Sequence, residues 1–172
     1  IGGNHLIHAA RRNVDITVVL CNNGVYASTG GQVAPTTQYG VYTSTTPHGN
    51  LEQPFDLCDL VTAAGATYVA RWTTAHVRSA IDSIKRGIHK RGFAFIEIMG
   101  QCPTYFGRYV LKTTDPVKCL KWLRENSIRK EMAEKMSMEE LAGRIIIGEF
   151  VDRERPELTE RYKELHEKLR KT

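Results

Sequence analysis

No run of apolar residues in this chain approaches the ~20 that a helix needs to cross a bilayer, and no block of lysine and arginine is interleaved with aromatics. The first absence argues against a membrane span, and the second makes nucleic-acid binding a weak reading. The formal charge of +5 is spread along all 172 residues, +3 over residues 1–117 and +2 over residues 118–172. Charge therefore selects neither an anionic substrate nor an acidic protein partner. Cysteine is scarce: the four stand at 21, 58, 102 and 119, with no Cys-x-x-Cys pair. That spacing suits neither a disulfide framework nor a self-contained zinc site, so a metal site using one thiol would need ligands from elsewhere. No internal repeat is present. What remains is an ordinary globular composition, 41% hydrophobic and 25% charged, enough for one real core. A cytoplasmic location is the default expectation.

Hydrophobic periodicity alternates along the first two thirds of the chain. Leu6, Ala9 and Ala10 are spaced for the buried side of a helix over Gly3–Arg12. Ile16–Cys21 is a short, nearly continuous apolar run, the pattern of a parallel strand covered on both faces. Phe55–Ala64 reads as a helix closed by Gly65, and Thr67–Ala70 as a strand. Val77, Ile81, Ile84 and Ile88 step by four, three and four, which predicts a helix buried along that stripe, with Lys85, Arg86 and Lys90 outside and Gly92 as the stop. The run of Lys85, Arg86, Lys90 and Arg91 is most simply a solvated face; a patch for docking a protein partner is the weaker alternative. Phe93–Ile98 is the next strand. This alternation predicts an α/β fold with a parallel sheet. Beyond Asp115 the texture changes: helices are expected over Val117–Glu125, Lys130–Leu141 and Glu157–Arg170, with a strand-like Ile145–Ile147. The expected division is 1–114 as the α/β domain and 115–172 as a mostly helical extension.

Ligands in parallel α/β sheets gather beyond the carboxyl ends of the strands. Two segments rich in unusual residues, 22–37 and 99–108, lie at such ends and are expected to be neighbours. The first belongs to a stretch, 22–54, that is long for a structureless loop in a compact domain. It opens Asn22-Asn23-Gly24-Val25-Tyr26. Magnesium takes hard oxygen ligands in octahedral geometry, and phosphates usually complete its shell. The side-chain carbonyl of Asn23 and the backbone carbonyl of Val25 could supply two such ligands from one tight turn, with Gly24 free to adopt a left-handed conformation. On these residues alone, a plain strand-to-loop turn is the simpler reading. His5 and His8, three apart on one helix, lack a third nearby ligand and read as packing and solvent-facing residues. Their helix N-terminus could face a diphosphate.

Context adds to the turn. The run from Ile1 to Thr37, together with Gly65-Ala66-Thr67-Tyr68-Val69-Ala70-Arg71 and Gln101-Cys102-Pro103-Thr104-Tyr105-Phe106-Gly107-Arg108, resembles the beta subunit of 2-oxoacid:ferredoxin oxidoreductases, the 2-oxoglutarate (KorB-type) branch above all. The likeness covers residues 1–108 well and the extension more loosely. It implies a thiamine-diphosphate-binding fold, of which this chain holds the diphosphate-binding half. Asn23 matches the family's asparagine ligand to Mg2+, and Val25 the residue whose carbonyl binds that metal. Gly24, Tyr26, Ser28 and Thr29 fall where the family's loop passes over the diphosphate and thiazolium. The family usually spells Gly-Met before Thr29-Gly30-Gly31-Gln32; this chain has Ala27-Ser28 beside the reactive carbon.

In that family an aspartate of a Gly-Asp-Gly-Asp segment, just upstream of the equivalent of Ile1, is the first metal ligand. A start at Ile1 inside a helix-like stretch leads to the expectation that an N-terminal part is missing. Cys102 alone reads as a small buried hydrophobe, but it matches the fourth ligand of a 4Fe–4S cluster whose other three come from that upstream part. Cys21, Cys58 and Cys119 match no ligand position. The resemblance implies oxidative decarboxylation of 2-oxoglutarate to succinyl-CoA, with coenzyme A as acyl acceptor and ferredoxin as electron acceptor. The implied partners are an alpha subunit and small gamma and delta subunits. The glutamate that activates the cofactor comes from the alpha subunit, so no catalytic acid or base is assigned here. Two alternatives stay open: a non-oxidative thiamine-diphosphate decarboxylase, which has no use for a cluster ligand at Cys102, and an inactive structural fragment.

Overall fold

A computed structural model describes residues 2–100 and 102–171; Ile1, Gln101 and Thr172, the first two of which belong to the motifs above, lie outside the described residues. In chain order the elements are α1 (Gly3–Arg12), β1 (Thr17–Asn22), β2 (Val25–Tyr26), β3 (Gln32–Val33), α2 (Leu57–Ala64), β4 (Tyr68–Thr73), α3 (Val77–His89) and β5 (Ala94–Met99). A π-helical segment follows (Pro103–Leu111), then α4 (Pro116–Glu125), β6 (Ser127–Arg129), the one-turn helices α5 (Lys130–Ala133) and α6 (Met138–Leu141), β7 (Ile145–Asp152) and α7 (Leu158–Arg170). Among the described residues no helix is long and apolar enough to cross a membrane.

Five strands form one sheet in the order β1-β5-β4-β7-β6. The pairs β1·β5, β5·β4 and β6·β7 are parallel, while β4·β7 is antiparallel with a register shift between Val69 and Ala70. The sheet is thus mostly parallel rather than wholly so, and the stretch after Asp115 supplies two of its strands besides its helices. Side-chain alternation divides the core between the two faces. Tyr68, Ala70, Trp72, Ala94 and Ile96 point to one face and pack with Ala80, Leu123, Ile145 and Ile147. Val69 and Phe95 point to the other and pack with Leu6, Ala10, Cys58 and Val61. Asn13 joins distant segments at the end of α1. It sits buried at φ 53, its Nδ2 donates to the carbonyls of Arg155 and Pro156, and its Oδ1 accepts the Phe93 N–H at 2.9 Å.

Four expectations change. β1 is an edge strand and is not covered on both faces: Val19 is 44% exposed and Cys21 is exposed, because α3 lies mainly over β4 and β5. Of the apolar stripe of α3, only Ile84 packs against the core. Ala80, Ser83 and Gly87 face the sheet while Val77, Ile81 and Ile88 are exposed. Small residues win because the helix sits close: a Cβ at Gly87 would meet Ile96 at 2.7 Å, and Ser83 Oγ accepts the Trp72 indole N–H at 2.7 Å. The basic run is not simply solvated. Arg86 pairs with Glu149 and Asp152, Lys90 with Asp152 and Glu154, and Arg91 with Glu160. Finally, the helix expected over 130–141 is two separate turns, the second started by Ser137, whose hydroxyl and backbone form a capping box with Glu140.

Candidate functional site

The carboxyl ends of β1 and β5 meet the start of the π-helical segment, and there segments 22–37 and 99–108 are neighbours. The Gly100 N–H donates to the Asn22 carbonyl at 2.9 Å. Gly24, at φ +69, lies under the Phe106 ring, and its left-handed backbone is the conformation a side chain would resist. A small cavity of about 40 Å³ opens here, with Asn23, Gly24, Gly100, Phe106 and Trp122 among its walls. Phe106 and Trp122 pack against each other with ring centroids 5.6 Å apart.

Asn22 and Asn23 have opposite surroundings. Asn22 is buried: its Nδ2 donates to Glu97 at 2.7 Å, while its Oδ1 accepts the Gly24 N–H and the Thr36 hydroxyl, each at 2.9 Å. Thr37, also buried, donates to the Gly24 carbonyl at 2.6 Å. Asn23 is half-buried and makes no side-chain hydrogen bond among the described residues. Its Oδ1 lies over Gly100, where a Cβ would approach it to 2.8 Å. A hard oxygen donor with no hydrogen-bond partner among the described residues, next to a position kept free of side chain, fits a magnesium ligand.

The other residues singled out from sequence are distributed around this turn. Val25 is buried, and Tyr26 is 55% exposed. Ser28 and Thr29 are exposed. The loop that carries them is clasped by Thr29 and Gln32, which exchange hydrogen bonds of 2.8 and 2.9 Å, and Gly31 (φ +77) is covered by Tyr105. Cys102 is buried at the start of the π-helical segment, and Cys119 Sγ and the Cys102 carbonyl both close on Gly107. Burial first, then Asp115 and Cys102, push the Cys119 thiol up. All four cysteines are free, and among the described residues no three His, Cys, Asp or Glu side chains converge as a metal site. Cys102 can therefore offer one thiolate to a cluster, but the described residues do not fit a complete 4Fe–4S site. His5 and His8 line a shallow groove along α1 with Asn4 and Arg12.

Sequence reasoning missed the charged cluster behind the turn. Strand alternation and parallel register put Asn22, Arg71 and Glu97 on one face at the ends of three adjacent strands. Glu97 is 1% exposed; its Oε2 accepts from Arg71 Nε at 2.6 Å, and Arg71 also reaches Asp56 at 2.8 Å. Cys58 donates its thiol proton to Glu97 at 3.6 Å, and burial pushes that thiol well up. Burial disfavours the Arg71 charge, yet its acidic neighbours Cys58, Glu97 and Asp56 hold its proton more firmly than usual. The available signal was a charge inside an otherwise apolar strand, Arg71 after Tyr68-Val69-Ala70 and Glu97 within Phe93–Ile98. Such residues are rarely buried without a partner.

A mostly parallel sheet with a glycine-hinged asparagine turn at the carboxyl end of its strands is the architecture of an α/β ligand-binding domain. Residues 1–98 match the family described as thiamine pyrophosphate enzyme, C-terminal TPP binding domain, and the chain belongs to that family. It is 55% identical over 170 residues to 2-oxoglutarate synthase subunit KorB of Methanocaldococcus jannaschii, covering 99% of this chain and 63% of that protein. The KorB subunit of Methanothermobacter thermautotrophicus is 56% identical over 161 residues, 94% of this chain and 56% of the relative. The chain thus spans about three fifths of the length of these curated relatives. Among solved structures it resembles a 2-oxoglutarate:ferredoxin oxidoreductase from Magnetococcus marinus with 2-oxoglutarate, coenzyme A and succinyl-CoA bound. That match has a TM-score of 0.80 and 28% identity, over 98% of this chain and 57% of the other. The family resemblance read from the motifs agrees with all three.

Proposed function

We propose that this chain is the diphosphate-binding part of a beta subunit in a 2-oxoglutarate:ferredoxin oxidoreductase, which converts 2-oxoglutarate, coenzyme A and oxidised ferredoxin to succinyl-CoA, carbon dioxide and reduced ferredoxin. The observation that carries the reading is the 55% identity to a 2-oxoglutarate synthase subunit over nearly the whole chain, joined to Asn23 at the strand end, whose side chain has no hydrogen-bond partner among the described residues. Residues 1–114 are taken as the cofactor-binding part and 115–172 as an extension built onto its sheet. Bound thiamine diphosphate supplies the chemistry that stabilises negative charge on the keto carbon as carbon dioxide leaves.

The chain's own residues hold and orient. Asn23 Oδ1 and the Val25 carbonyl would ligate a Mg2+ bound with the diphosphate, Gly24 permits the turn between them, and Tyr26, Ser28 and Thr29 would flank the cofactor from the exposed loop. Cys102 would give one thiolate to a 4Fe–4S cluster completed by residues outside this set. An alpha subunit, possible small gamma and delta subunits and ferredoxin are the proposed partners, and four unpaired cysteines suit a cytoplasmic complex. The test is turnover by the purified complex with thiamine diphosphate, Mg2+, coenzyme A and oxidised ferredoxin. Succinyl-CoA formed from 2-oxoglutarate, with ferredoxin bleaching in step and pyruvate a poorer substrate, is the expected result. Carbon dioxide release without acyl-CoA or ferredoxin reduction would overturn it in favour of a non-oxidative decarboxylase.

A further inference from the structure

Asn22 is held by partners that leave its amide one orientation. A carboxylate can only accept, so the Glu97 oxygen at 2.7 Å requires the Asn22 NH₂; a backbone N–H can only donate, so Gly24 at 2.9 Å requires the Asn22 oxygen. Glu97 is in turn held by the Arg71 guanidinium at 2.6 Å, through its other oxygen. One line of contacts runs from Arg71 through Glu97 and Asn22 to the Gly24 N–H, and Thr37 takes the Gly24 carbonyl at 2.6 Å. Both peptide groups of Gly24 are fixed, and the two residues beside it are Asn23 and Val25. Two carboxylates, those of Asp56 and Glu97, share the single guanidinium of Arg71, which leaves a net negative charge behind the turn where a cation would sit.

We propose that Glu97 is a positioning residue for metal-diphosphate binding: through Asn22 it sets the turn that presents Asn23 and Val25, and its buried charge favours the divalent ion. This rests on the cofactor-binding reading above. It predicts that hydrogen-bond polarity along the line matters, not only the presence of side chains. Glu97→Gln keeps the shape, but the new amide cannot accept from both Arg71 and Asn22. The swap Asn22→Asp with Glu97→Gln reverses the polarity of that one bond and keeps every other. The glutamine oxygen accepts from Arg71, its NH₂ donates to the aspartate, and the aspartate still accepts from Gly24 and Thr36, with total charge unchanged.

The experiment measures, by calorimetry on the purified complex containing this chain, the Mg2+ concentration for half-maximal thiamine diphosphate binding, alongside the Tm without cofactor. E97Q should raise that concentration roughly tenfold or more, in the range usual when a residue supporting a metal ligand is lost. The double swap should return it to within about threefold of the parent. Phe93→Leu, a buried change at the opposite end of β5, should lower Tm without moving the Mg2+ requirement. An E97Q complex with lower Tm but an unchanged Mg2+ requirement would overturn the proposal, as would a swap that rescues nothing. Should E97Q fail to fold, Asn22→Ala cuts the same line at its next link, between Glu97 and the Gly24 N–H; an unchanged Mg2+ requirement there is equally fatal. A parent complex that binds no thiamine diphosphate would instead sink the functional reading itself.

Discussion

Two ion-pair networks in this molecule have almost the same bond lengths and very different surroundings. In the first, Arg71 lies 2.6 Å from Glu97 and 2.8 Å from Asp56, with the side chains of Arg71 and Glu97 only 10% and 2% exposed. In the second, Arg86 lies 2.6 Å from Glu149 and Lys90 lies 2.7 Å from Asp152, across α3 and β7, with Arg86 52% and Asp152 38% exposed. Distance alone would rank them equal. Solvent does not: water and salt screen the outer network, whereas the inner one has given up its hydration and depends on its partners. The inner network also ends on the Asn22 turn, while the outer one ties a helix to a strand.

The largest expected effect comes from removing the centre of the inner network. Arg71→Met leaves Glu97 buried with its charge uncompensated, and breaking such a pair costs about 3–5 kcal/mol. Urea unfolding should show that loss in the midpoint. The loss should be nearly the same at low salt and at 1 M salt, because ions cannot reach the pair. A cost under about 1 kcal/mol would put Arg71 in the range of an exposed pair, and the contrast between the two networks would fail.

Asp56 is the half-exposed end of the inner network, and it sharpens the comparison through pH. Partial burial works to raise its carboxyl, but the hydrogen bond and charge of Arg71, with backbone N–H groups of α2, more than offset that and hold it below the ordinary 3.8. A carboxylate lowered in the folded state contributes stability that is present above its unfolded value and is lost as pH falls through the lowered one. The window therefore lies below about pH 4. Asp59, raised by its own burial and by Asp56, works in the opposite direction. Asp56→Asn keeps a good N-cap for α2 and removes only the charge. It should cost roughly 1 kcal/mol at pH 7 and flatten part of the acid limb between pH 4 and 2. An acid limb identical to the parent's would show that Arg71 draws no stability from Asp56.

Much of this was legible from the chain alone. The turn at Asn23-Gly24-Val25 stands out because glycine chemistry at a strand end is local, and β4 and β5 announce themselves as short apolar runs, each interrupted by a single charge. Glu97 and Arg71 were not legible as a site, since Asn22, Arg71 and Glu97 lie up to 75 residues apart and meet only through parallel register. The buried side of α3 was misread for a related reason. A stripe of isoleucines looks like a core, but Gly87 against Ile96 draws the helix in close, so Ala80 and Ser83 face the sheet and only Ile84 of the stripe packs with them. What a strand neighbour allows is a tertiary fact that no helical period contains.

The smallest effects should come from the outer network. Burial alone would pull Lys90 down; its bonds to Asp152 and Glu154 outweigh that and raise it, while Asp152 is lowered first by the Lys90 bond and then by the charges around it. Arg86 and Asp152 stay in contact with water, while the Lys90 stem is mostly covered. Arg86→Ala and Lys90→Ala should each cost less than about 1 kcal/mol, with Lys90 the larger because its own side chain is only 13% exposed. In 1 M salt most of the Arg86 effect should vanish. A double-mutant cycle between Lys90→Ala and Asp152→Ala isolates the pair from the packing of the lysine stem. A coupling of about 0.5 kcal/mol that fades with salt keeps the two networks distinct; a coupling above about 2 kcal/mol that salt leaves untouched would make the outer network the structural equal of the inner one.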